Sequence, residues 1–100
     1  MPKGYWVVRA DVADLDQYKK YVAANAKPFK EFGAHFLARG GRFETAEGGS
    51  RSRNVIIEFP SYEDAQACWK SPGYQEAMTF RKGVATVDIV ILEGYEGQQP

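Results

Sequence analysis

The chain has 100 residues, enough for one domain, with 44% hydrophobic and 26% charged side chains and a formal net charge of zero. Thirteen basic against 13 acidic residues leave no basic excess for general nucleic-acid binding, and no apolar run approaches the roughly 18 residues of a membrane span. One histidine and one cysteine exclude an intrachain disulfide and a tetrahedral nitrogen–sulfur zinc site, and no phosphate-loop, dinucleotide or triad spacing is present, so we expect neither metal nor cofactor. The lone thiol, and a start (Met1-Pro2-Lys3-Gly4) with no signal-peptide core, suit the cytoplasm.

The first strand is expected over Tyr5–Val12, with Trp6, Val8, Ala10 and Val12 on one face and Tyr5 and Val7 opening a second apolar row. Asp14, with Gln17 three residues on, marks a helix start with a variant capping box. From there Tyr18, Tyr21, Val22, Asn25, Phe29 and Phe32 recur at helical spacing. Pro28 predicts a kink, or a break near Asn25 with a second short helix after it, and Gly33 a stop. The second strand spans Phe36–Arg42, with 43–46 as its extension beyond a bulge or bend at Gly40-Gly41. Glu47-Gly48-Gly49-Ser50 reads as a turn, Arg51 and Arg53 as a solvated approach to the third strand, Asn54–Phe59. Ser61 caps the next helix, Ser71-Pro72-Gly73 breaks it, and Pro72 opens another whose inner face carries Tyr74, Ala77, Met78 and Arg81. The fourth strand spans Val87–Tyr95, and 96–100 is a loose tail.

The order βαββαβ predicts an α+β, ferredoxin-like sandwich over residues 1–95: a four-stranded antiparallel sheet with helices on one face. The strands are apolar on both faces: in the last, Ile89 and Ile91 alternate with Val90 and Leu92. The helices cover only one face. Each apolar side chain left in water forgoes about 1.5–3 kcal/mol of burial, so a second copy packed sheet against sheet, a homodimer forming a dimeric α/β barrel, is the economical cover.

Arg39-Gly40-Gly41, Asn54 through Ser61 (NVIIEFPS), Ser71-Pro72-Gly73-Tyr74-Gln75 with Arg81 beyond, and Glu93-Gly94-Tyr95 together resemble the bacterial domain-of-unknown-function 1330 family, across about Gly4–Tyr95. The family is similar in fold to the dimeric α/β-barrel superfamily, which includes cofactor-free monooxygenases, lactone isomerases and haem enzymes. The resemblance thus implies the fold and the dimer, and leaves the activity of this family unassigned.

Several polar residues stand where a core is expected. Arg81, on an apolar helical face, would either clamp a small anionic organic ligand or pair with Glu58, Asp88 or Glu93. Asn25 would bind a ligand or satisfy backbone groups freed by Pro28. Arg39, before two glycines, would approach an anion or pair across the dimer. Glu58, in an otherwise apolar strand, would act as a proton shuttle or pair with Arg9. Tyr18, Tyr21, Trp69 and Tyr74 would line an aromatic pocket or simply pack in the core, His35 would be a base, a haem ligand or a surface or satisfied structural residue, and Cys68 reads as core. The expected function is binding of a small anionic metabolite between helices and sheet, with cofactor-free acid–base or oxygenase-type chemistry. The alternative is a non-catalytic ligand- or partner-binding module.

Overall fold

Strand β1 (Gly4–Val12) is the centre of the molecule. In the computed structural model, which describes residues 2–100, it pairs antiparallel with β3 (Arg53–Phe59) on one side and β4 (Ala85–Glu93) on the other. β2 (His35–Arg39) adds to β3, giving the order β2-β3-β1-β4. Helices α1 (Leu15–Glu31), α2 (Tyr62–Lys70) and α3 (Pro72–Met78) form the second layer, and a 3-10 turn, Thr79–Arg81, leads from α3 towards β4. This is the α+β ferredoxin-like fold that the alternation of elements predicts. No described helix is long and apolar enough to cross a membrane, and no cluster of three or more His, Cys, Asp or Glu side chains forms among the described residues.

The register decides what each face carries. Trp6 stands opposite Ile57 and Ile91, and Val8 opposite Val55 and Ile89, so these residues share the inner face beneath the helices. Trp6 is fully enclosed there, its rings met edge-on by Phe29, Trp69 and Tyr74. Its indole N–H donates to the Ala65 carbonyl at 2.9 Å, so the buried polar atom is satisfied. On the other face, Val7 stands between Ile56 and Val90, and Tyr5 beside Leu92. Ile56, Val90 and Leu92 are exposed, and the subunit is a slab 17 Å thick.

Local chemistry explains most of the boundaries. Asp14 Oδ1 accepts from the Gln17 N–H at 3.1 Å and caps α1, but Gln17 does not reach back to complete the capping box; its amide donates to the Phe80 carbonyl instead. Ser61 Oγ caps α2 through the Asp64 N–H. Ser71 serves twice: its Oγ donates to the Cys68 carbonyl as α2 ends and accepts from the Tyr74 N–H as α3 begins, with Pro72 at the first turn.

Five expectations are corrected. α1 runs unbroken through Pro28, whose ring is buried in the layer that α1 and α3 share; packing there outweighs one lost backbone hydrogen bond. β2 ends at Arg39 rather than Arg42, because Gly40 turns into the left-handed region at φ +67° and its N–H closes onto the Asn54 carbonyl. Residues 43–46 do not prolong it: 40–52 form an irregular loop, tied to β1 by Arg9 donating to the Gly49 carbonyl and Ser52 N–H donating to Asp11. The bulge falls at Leu37, between Phe36 and Ala38, not at the glycines. β4 is displaced two residues towards the N-terminus, Ala85–Glu93 rather than Val87–Tyr95.

Candidate functional site

α1 builds one wall of the site. Tyr18, Tyr21, Asn25 and Phe29 follow one another at three- and four-residue steps, so all face the sheet, and all are buried. Between them and the inner face of β1, β2 and β3 lies a cavity of about 30 Å³, lined by Tyr18, Tyr21, Asn25, Phe36, Arg39 and Arg53 among others. That volume accommodates one water-sized group. A second cavity of about 380 Å³ opens towards the start of α1, and shares Tyr18, Val22 and Arg53 with the first. Among the described residues no acidic side chain lines either, whereas Arg39, Arg53 and Lys19 do, so the field in both favours an anion.

Behind Tyr21, the 3-10 turn delivers Arg81. The Tyr21 and Tyr74 hydroxyls are 2.8 Å apart, Arg81 Nη2 donates to the Tyr74 hydroxyl at 3.4 Å, and the guanidinium lies over the Tyr21 ring, 5.2 Å from its centroid. Arg81 is nine-tenths buried and its Nε has no hydrogen-bond partner. Nor has the buried Oδ1 of Asn25. Burial pushes the Tyr74 hydroxyl far above the usual tyrosine range, with Tyr21 adding to it and Arg81 opposing. Tyr18 is raised too, by burial and by Tyr21, while Arg53 and Arg81 pull the other way. Burial alone would lower the Arg81 pKa, but its hydrogen bond to Tyr74 and the nearby Tyr21 outweigh this, so it remains a fixed cation.

The expected ion-pair partners of Arg81 lie elsewhere. Glu58 and Asp88 point to the outer face, where Tyr5 donates to Glu58 at 3.2 Å and Arg51 bridges Asp88 and Asp11. Glu93 stands at the far end of β4, eight residues from Ala85, a separation of roughly 26 Å at 3.3 Å per residue. Both ion pairs among the described residues belong to Arg51.

Of the residues proposed from sequence, Arg39, Asn25 and Tyr18 meet at the small cavity, with Arg39 stacked on Phe36 at 4.1 Å. Arg81 and Tyr74 adjoin it through Tyr21. Trp69 lies apart, packed between Trp6 and Tyr74 in the aromatic core. Glu58 lies on the opposite face of the sheet, across from His35, and its partner is Tyr5, not Arg9. Cys68 is enclosed and burial pushes its thiol up to about 12. Sequence reasoning missed Arg53. The signal was there: Arg53, Val55, Ile57 and Phe59 alternate, which carries the core-facing row back to position 53.

Compared with known families, the chain matches the domain of unknown function DUF1330 over residues 3–95. The protein belongs to the DUF1330 family. No curated protein matches it. Among solved structures, this DUF1330 protein is similar to a protein of unknown function from Rhodopseudomonas palustris, at 14% identity and a TM-score of 0.76, over 96% of this chain and 85% of the other. It is similar also to SnoaB from Streptomyces nogalater, a cofactor-independent oxygenase, at 13% identity and a TM-score of 0.63, over 100% and 97% of the two chains. A dimeric ferredoxin-like protein of unknown function from Thermobifida fusca aligns at 14% identity with a TM-score of 0.59, over 92% and 91%. At these identities the likeness is one of fold.

Proposed function

We propose that this DUF1330 protein is a homodimer whose subunits each bind a small anionic organic molecule between helices and sheet. One observation carries the reading: Arg81 is buried, charged and without a carboxylate, next to cavities lined by two further arginines and no acid. Leaving a buried cation unpaired costs stability, and a protein retains such a group where a ligand supplies the counter-charge. The reaction class we infer is cofactor-free and oxygenase-type. SnoaB carries out such chemistry on this fold, and a fixed cation suits a substrate that reacts as its enolate or phenolate.

Arg81→Met tests the reading, since it keeps volume and removes charge. The melting temperature should hold or rise, while an anion retained by the wild type in native mass spectrometry is lost. A fall of several kcal/mol in stability, with no anion retained by the wild type, would make Arg81 structural and end the proposal.

A non-catalytic binding module is the second reading. It is favoured by the absence of any carboxylate or histidine from the lining of both cavities, so that no obvious base stands ready. Turnover decides: a bound molecule recovered unchanged after incubation in air supports the module.

The dimer is inferred from the outer face. Leu37, Ile56, Val90 and Leu92 are exposed there, Tyr5 and Val7 are half-buried, and a second sheet would cover them all. The dimeric Thermobifida fusca protein of the same fold supports the arrangement.

A further inference from the structure

Arg53 is the one charged side chain that borders both cavities. Its position opposite Ala10 sets it on the inner face. Gly40 leaves room for it: a Cβ at that glycine would meet the Arg53 guanidinium, which lies against the bare glycine backbone. The left-handed φ of Gly40 and the absence of its Cβ thus serve one end, placing a guanidinium beside Tyr18 with no acid to neutralise it.

Asn25, also in the lining of the small cavity, asks for something different. Asn25 Oδ1, on a side chain 5% exposed, is an acceptor with no donor. A carboxylate cannot fill that need, but a hydroxyl can. Tyr18, Val22 and Asn25 lie along one stripe of α1 and span about 10 Å of helix axis at 1.5 Å per residue. Val12, Leu15, Tyr18 and Val22 line the larger cavity, whose about 380 Å³ suits a flat ring.

We propose that the ligand is a hydroxylated aromatic carboxylic acid. Arg53 takes its carboxylate, the ring lies against Tyr18 and Val22 in the larger cavity, and the hydroxyl enters the small one to donate to Asn25 Oδ1; Arg81, behind Tyr21, adds to the favourable field without touching the ligand. This assignment rests on the anion-site reading above and names its ligand class.

Titration calorimetry with 4-hydroxybenzoate, benzoate and 4-methylphenol tests it on the full chain. The wild type should prefer 4-hydroxybenzoate to either of the others by about tenfold or more, as one charge-assisted or one buried hydrogen bond warrants. Arg53→Gln should weaken both carboxylates about tenfold or more and leave 4-methylphenol unchanged; Arg53→Lys should fall between. Asn25→Leu should abolish the preference for the hydroxyl while leaving benzoate bound. Arg51→Gln, on the outer face, is the control and should change nothing. Circular dichroism confirms that each variant is folded. Equal binding of 4-methylphenol and 4-hydroxybenzoate, or full affinity in folded Arg53→Gln, overturns the assignment. So does failure of all three probes. In that case an anion of another class retained in native mass spectrometry would leave the anion site standing, and no retained anion would remove both.

Discussion

Arg51 and Arg53 leave the chain two residues apart and end on opposite faces of one sheet. Arg51 reaches across the outer face, where Asp88 and Asp11 meet it at 2.7 and 2.8 Å. Arg53 turns inward beneath α1, where no carboxylate answers it. The same contrast holds for the faces as wholes. Outside, Arg51, Asp11 and Asp88 are paired at one end and apolar side chains at the other lie open. Inside, apolar side chains are closed over and the charges are left unpaired. A surface that wants a partner shows unburied carbon; a site that wants a ligand shows unneutralised charge. On the proposed function, the two faces of this sheet ask for different things, a second protein outside and a small anion within.

The sharpest way to break the comparison is to make the outer face polar. Leu92→Asp places a carboxylate beside Tyr5 and Val90 and, in the proposed dimer, against the second copy. Because Leu92 is already exposed in the subunit, the fold should survive, with an unchanged circular dichroism spectrum. Burying an unpaired charge in an apolar interface costs several kcal/mol, so dimer affinity should fall by about 100-fold or more. Light scattering across a concentration series reads it. A variant that remains dimeric at micromolar concentration would place the interface elsewhere.

How much of this was legible in the sequence differs between the two faces. The outer face was open to reading: Val90 and Leu92 alternate with Ile89 and Ile91, and a period of two assigns them without knowledge of any neighbour. The helix starts at Asp14, Ser61 and Pro72 were equally local, since a cap reports on three residues at a time. The inner site was not local. Arg81 seemed to have three acids available, and only the register shows that Glu58 and Asp88 point away from it. Pro28 signalled a break because the sequence does not display the α3 contact that compensates for it. Arg53 was hidden by its neighbours: Arg51-Ser52-Arg53 looks like a polar loop until the strand it begins is extended backwards by one residue.

A second test sharpens the inner half of the comparison. Tyr74 ionises in the unfolded chain near pH 10, whereas burial holds its native pKa far higher. A group with a raised native pKa contributes stability that is complete below the unfolded value and is lost as pH rises above it. Between pH 10 and 11.5 Tyr74 should therefore remove up to about 1.4 kcal/mol per pH unit. Tyr18 is raised as well and contributes in the same direction. Tyr74→Phe should be less stable at pH 7, having lost its bonds to Tyr21 and Arg81, yet show a shallower alkaline decline than the wild type in urea titrations. Parallel declines would mean that Tyr74 ionises freely and that the inner cluster is wetter than its burial implies.

The smallest effect belongs to Arg51. Its two ion pairs are solvent-exposed, and pairs of this kind add little to stability and are screened by salt. Arg51→Met should shift the urea midpoint only slightly in low salt and not at all in high salt. Its consequence is local. Asp11 is held below the usual carboxylate range first by the Ser52 N–H and then by Arg51, so its contribution is present above about pH 4 and is lost as pH falls below that. Without Arg51 one of the two ties between the 40–52 loop and the β1 carboxylate is gone, and the Ser52 amide, bonded to Asp11 at 2.9 Å, should exchange its hydrogen faster. The same variant should leave ligand affinity untouched, because nothing on the outer face borders the cavities. If Arg51→Met weakened anion binding as Arg53→Gln is expected to, the two faces would be coupled through the loop, and the separation between a face for protein and a face for ligand would fail.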